Sequence, residues 1–139
     1  MISTVKAIID LLQKNEPATA AEMESFRNTC PVDLPKDYLE FVEYSNGAAG
    51  SFPNGNHIIL WRIERLVERN RAYKVEDYAP GIFVFGSSGG GEAYGFDTRS
   101  SIAVIQIPFV GMQLSEVEYL VPSFTEFLTA LARAVPNGW

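Results

Sequence analysis

The chain is short of the residues on which redox and metal chemistry depend. Its 139 positions hold one cysteine, Cys30, and one histidine, His57. A single cysteine excludes an internal disulfide, and the pair cannot supply the donors of a Cys/His zinc site. No apolar run approaches the roughly 18 residues that a membrane span requires. The first ten residues lack the charged start and long apolar stretch of a secretory signal. Basic residues are also scarce, 11 Lys and Arg against 17 Asp and Glu for a formal charge of −6. That balance disfavours non-specific binding to nucleic acid or anionic lipid, whose phosphates it repels. No internal repeat, low-complexity stretch or linker divides the chain. The expectation is a cytoplasmic protein with no cofactor, no metal and no redox role.

What remains is ordinary globular composition, 47% hydrophobic, 12% aromatic and 20% charged, in a length suited to one domain. Val5, Ile8, Ile9 and Leu12 recur at helical spacing, predicting a helix over 3–14 that ends before Pro17. Thr19-Ala20-Ala21-Glu22 reads as a capping box, in which hydroxyl and carboxylate satisfy free backbone donors at a helix start. That helix should run to about Asn28. A third begins at Leu34-Pro35, buries Tyr38, Leu39, Phe41 and Val42, and stops at Ser45-Asn46-Gly47.

Beyond Gly47 the period changes. Gly50, Pro53 and Asn54-Gly55 are turn residues, Ile58–Trp61 a buried strand, and Ile63–Tyr73 a short helix. Strands follow at 82–86, 92–97 and 102–107, with turns so short that neighbours must run antiparallel. Ser123-Phe124-Thr125-Glu126 is a second capping box, opening a helix built on Phe127, Leu128, Leu131 and Val135. Helices clustered at both ends of a mostly antiparallel sheet define an α+β fold.

Few motifs carry chemistry. Gly86-Ser87-Ser88-Gly89-Gly90 matches G-x-S-x-G, but a nucleophile elbow needs a helix after its serine, and here glycines and strand residues follow. His57 precedes Ser88, the reverse of the hydrolase order. Gly86 to Gly91 also has phosphate-loop spacing, yet Glu92 and Ala93 stand where lysine and a hydroxyl are needed. The simpler reading is a glycine turn that lets the backbone approach another element. Glu92 and Asp97 are an odd number of residues apart on one strand, so they point to opposite faces and make no acid/base pair. No nucleophile, base and orienting group assemble, and the chain is read as non-enzymatic.

Charge is unevenly spread. Between Arg62 and Lys74 five bases meet two acids, a local +3 that leaves −9 for the rest. Acids gather in Asp37, Glu40 and Glu43 on one helix, and in Glu92, Asp97, Glu116 and Glu118 around the strands. They are either a solvated surface or a face that meets a basic partner.

Three pieces resemble the SUKH superfamily. They are Leu34-Pro35 with Tyr38, Phe41 and Asn46-Gly47, then Gly86 to Gly91 with Glu92, Tyr94, Phe96 and Asp97, then Val121-Pro122-Ser123-Phe124 with Phe127-Leu128. They occur in order across 34–131 and leave 1–33 as a helical leader to a single domain over 1–139. The resemblance implies an α+β fold without catalytic apparatus. It also implies kinship with bacterial immunity proteins, which neutralise a cognate toxin, often a nuclease, by direct binding, and with fungal regulators of cell-wall assembly. Leu34, Pro35, Gly47 and Gly86 carry over as structural positions. The expected partner is a basic toxin protein, met by Glu92, Tyr94, Asp97, Glu116 and Glu118; the alternative is a protein-interaction or ligand-sensing scaffold related to cell-wall regulation.

Overall fold

The computed structural model describes residues 2–133. In chain order the elements are α1 (Ile2–Ile9), β1 (Gln13–Lys14), α2 (Ala20–Thr29), α3 (Lys36–Tyr44), β2 (Ala48–Ser51), β3 (His57–Leu60), α4 (Ile63–Ala72), α5 (Val75–Tyr78), β4 (Ile82–Ser87), β5 (Glu92–Asp97), β6 (Ala103–Pro108), a 3-10 turn (Leu114–Glu116), β7 (Glu118–Val121) and α6 (Phe124–Arg133). The seven strands form one sheet in sequence order, every neighbouring pair antiparallel. The α+β architecture with helices at both ends is therefore as expected.

The core lies where α3 and α6 meet the central strands. Tyr38, Phe41, Phe85, Phe96, Phe124 and Phe127 are all fully buried. The Tyr38 ring stands edge-on to Phe124 at 5.0 Å and to Phe96 at 5.4 Å, the arrangement that aromatic quadrupoles favour. Its hydroxyl is buried without a hydrogen-bond partner among the described residues, and burial pushes its pKa far above the phenol range. Replacing Tyr38 by Phe removes that unsatisfied group and keeps the ring. We expect Tyr38→Phe to raise stability by about 1 kcal/mol, read from the urea midpoint.

Local signals explain most helix ends. Thr19 Oγ1 accepts from the Glu22 amide at 3.1 Å and Glu22 Oε1 accepts from the Thr19 amide at 2.8 Å, so the first capping box forms as written. Pro35 is the N-cap of α3. Ser123 Oγ accepts from the Glu126 amide at 3.1 Å at the start of α6; Val135, assigned to this helix from the sequence, lies outside the described residues. Asn46 does more than end α3. Its Oδ1 accepts from the Ile63 amide at 2.7 Å and its Nδ2 donates to Glu64 Oε1 at 2.7 Å, which caps α4 from a distant segment.

Several expectations need correction. The helix expected over 3–14 ends at Ile9; the last turn tightens through Leu11→Ile8 and Leu12→Ile9 backbone bonds, and Gln13 and Lys14 pair with Ala49 and Ala48 at the sheet edge. Leu12 is still buried, reached by the turn instead of by helical spacing. The leader is therefore part helix and part strand, and it gives Val5, Ile9, Leu12, Met23 and Phe26 to the core. Strands β2 and β7 and helix α5 carry no sequence signal of their own. Ala48-Ala49-Gly50-Ser51 has neither β-branched nor aromatic residues, and pairing with β1 and β3 makes it a strand.

Candidate partner-binding surfaces

Strand β5 pairs with β6 without irregularity, Glu92 opposite Pro108 and Asp97 opposite Ala103. Glu92 and Asp97 therefore face opposite sides, as their spacing requires. Tyr94, Gln106 and Glu118 form one cross-strand row on the Glu92 side. This is the side covered by α6, for the Tyr94 ring packs on Phe127 at 4.8 Å. Tyr94 is only 5% exposed, and burial raises its pKa. It seats the face from below.

Asp97 is equally enclosed, at 4% exposure. Its Oδ1 accepts from the Arg99 amide at 3.0 Å and from Arg99 Nε at 3.0 Å, and its Oδ2 accepts from Arg99 Nη2 at 2.9 Å. The Tyr119 hydroxyl also donates to Oδ2. The Arg99 guanidinium, helped by Tyr119 and opposed by desolvation, holds this carboxyl well below its ordinary value near 3.8. A depressed folded-state pKa adds stability that is present above the unfolded value and lost as the acid limit is approached. Wild type should thus lose stability below about pH 4 in part through this group, and Asp97→Asn should flatten that loss while lowering stability at neutral pH. Urea unfolding at neutral pH and at about pH 3 checks both expectations.

The remaining acids reach solvent. Glu118 lies on β7, whose outer side has no strand neighbour among the described residues, Glu116 stands in the turn just before it, and both are exposed. Glu92 is half-buried on the same face as Glu118. Tyr119, 61% exposed, projects to the opposite face, where Asp97 and Arg99 hold its hydroxyl. The structure thus brings Glu116 and Glu118 to a sheet edge with Glu92 on the same face as Glu118, and makes Tyr94 and Asp97 internal supports. Leu34 is buried beside the N-cap Pro35.

The glycine turn makes no nucleophile elbow. Ser88 Oγ accepts from the Gly90 amide at 3.2 Å, and the chain continues into β5 with no intervening helix. Gly86 lies within β4, where a Cβ would fall inside 3.0 Å of the Ile59 carbonyl oxygen. Close approach of β4 to β3 is therefore its role. His57 Nδ1 lies 3.0 Å from Ser51 Oγ. Among the described residues no group of three His, Cys, Asp or Glu is placed to hold a metal, and no helix is long and apolar enough to cross a membrane. Cys30 is half-buried, and burial pushes its thiol up.

One surface was not anticipated. Trp61 stacks on Tyr73 at 6.2 Å, Tyr73 meets Phe109 at 4.8 Å, and the Arg69 guanidinium lies 5.0 Å above Trp61. The sequence marked the excess of bases in this segment. Phe109 comes from beyond β6, and nothing local in the sequence joins it to Trp61.

A sequential seven-stranded meander with helices from both ends of the chain defines an α+β domain whose buried polar groups fasten its own elements. Comparison places it more closely. The chain belongs to the SMI1/KNR4 family (SUKH-1), whose profile matches residues 17–130. The match begins before α2, so half of the segment read as a leader lies within the family's domain. The family is generally non-enzymatic and commonly immunity-like. No curated protein matches the chain.

Proposed function

We propose that this chain is an immunity-type binding protein that neutralises a basic toxin of nuclease type by covering its surface. The observation that carries the reading is the acidic free edge, with Glu116 and Glu118 exposed on and before β7 and Glu92 on the same face. Unpaired backbone groups of an edge strand offer hydrogen bonds to a partner, and the glutamates exclude partners of the wrong charge. Tyr94 and Asp97 act indirectly, the first by seating β5 on α6 and the second by fixing Tyr119. An acidic surface also competes for the basic patch that a nuclease offers to phosphate. Family membership supports the same conclusion, since SUKH domains bind toxins in general.

Co-expression with the product of a neighbouring gene tests it. Protection from toxicity and co-purification are expected, and Glu116→Lys with Glu118→Lys should slow association roughly tenfold and weaken its salt dependence. The proposal is overturned if the chain neither binds nor protects against any neighbour-encoded protein.

A further inference from the structure

Two clefts on the α4 side of the sheet share Ile59, Trp61 and Arg69 and so form one open trough. The first, of about 260 Å³, is walled by Arg62, Arg65 and Arg69 beside Ala48 and Ala49. The second, of about 550 Å³, runs over Trp61, Tyr73 and Phe109 to Gly89, Gly90, Gly91 and Val110. Among the described residues neither is lined by an aspartate or a glutamate. In a chain of net charge −6, this is a concentration of cations over an aromatic floor.

The arginines are poorly engaged. Arg62 meets Glu64 at 3.7 Å and Arg65 meets Glu68 at 3.5 Å, long pairs between side chains that are all at least 40% exposed. Such exposed pairs are weak and exchange readily for a better acceptor. Arg69 makes no salt bridge among the described residues, and its Nε is buried without a hydrogen-bond partner. The guanidinium lies over the face of Trp61. A carboxylate arriving along the trough would give this guanidinium a charged partner while the ring stays beneath it. The apolar seat is also open, with Tyr73 43% and Val110 90% exposed.

From this arrangement we infer that the trough docks a short, extended acidic segment of a partner protein, with carboxylates on Arg62, Arg65 and Arg69 and an apolar or aromatic side chain on Trp61, Tyr73 and Phe109. The open shape suits an extended backbone. The charge distribution favours a short anion, because the residues outside 62–74 carry −9 and repel a long polyanion such as nucleic acid. This site is distinct from the β7 edge and carries the opposite charge, so it does not rest on the toxin reading.

The test uses a Trp139→Phe variant, in which Trp61 is the one remaining indole of the two in the chain. The probes are a labelled hexapeptide of aspartate and glutamate with a central phenylalanine, its asparagine/glutamine counterpart, and a short oligothymidylate. Peptide anisotropy and Trp61 emission are the readouts. Saturable binding of the acidic peptide is expected, weakened by added salt and by roughly tenfold or more when Arg62 and Arg65 are both changed to Glu. Tyr73→Ala should also weaken it, while Glu118→Lys should leave it unchanged. These four positions are solvent-exposed, and circular dichroism verifies that the variants fold. The inference is overturned if the acidic peptide does not bind, if the amide peptide binds as well, if charge reversal has no effect, or if the oligothymidylate binds in the peptide's place.

Discussion

Gly47→Ala should cost about 3 kcal/mol or more, one of the largest losses any single methyl can cause in this molecule. Gly47 is buried and has φ +84°, a conformation that L-residues occupy at a penalty of about 1–2 kcal/mol. Its new Cβ would also lie 2.6 Å from the Leu60 carbonyl oxygen and 3.1 Å from the Arg62 nitrogen. Both are backbone atoms, so no rotamer change relieves the contact. Overpacking of this kind adds about 1–3 kcal/mol. Three other glycines separate the contributions. Gly111 has φ +76° and empty space around it, so Gly111→Ala should show strain alone, about 1 kcal/mol. Gly86 has no left-handed φ and meets only the backbone of Ile59 and Leu60, so Gly86→Ala should show the clash alone. Gly91 has neither, and Gly91→Ala should stay within about 0.5 kcal/mol. Urea midpoints at constant m-value measure all four. Equal losses at Gly47 and Gly91 would refute this account.

Gly47 and Gly86 were legible because glycine is the residue a tight backbone approach demands, whatever surrounds it. The aromatic core was legible for a similar reason: Tyr38, Phe41, Phe124 and Phe127 sit at helical spacing, and Phe85 and Phe96 within apolar strands. The edges were not. Gln13-Lys14 and Ala48–Ser51 become strands only because each lies against a partner, and no periodicity announces that. The candidate site was half visible. Glu116 and Glu118 are surface acids, as their charge suggests, but the burial of Tyr94 and the capture of Asp97 by Arg99 and Tyr119 depend on register across β5, β6 and β7. The trough was hidden for the same reason. Its floor combines residues 61, 73 and 109, which only the fold brings together.

Asp37 shows how far a charged residue can differ from its surface reading, and it yields the second large effect. It belongs to the acidic series of α3 with Glu40 and Glu43, yet its side chain turns inward. Oδ2 accepts from the Thr125 amide at 2.9 Å and from Thr125 Oγ1 at 2.8 Å, while Oδ1 accepts from the Tyr38 amide at 2.9 Å. One carboxylate thus ends the free amides of two helices, α3 locally and α6 from 88 residues away. A negative charge at those N-termini is also favoured by both helix dipoles. Asp37→Ala leaves the Thr125 amide and hydroxyl without this acceptor at a residue only 5% exposed. Each such orphaned group costs about 1–3 kcal/mol, so a loss of about 3 kcal/mol is expected. Asp37→Asn keeps an acceptor and should lose about 1 kcal/mol. Thr125→Val removes the hydroxyl alone, and combining it with Asp37→Ala should cost less than the sum of the two, because the shared bond is lost once. Strict additivity would mean that Asp37 does not hold α6. Since Phe127 of α6 packs on Tyr94 of β5, the same variant should loosen β5 beneath Glu92, seen as faster amide exchange there before global unfolding.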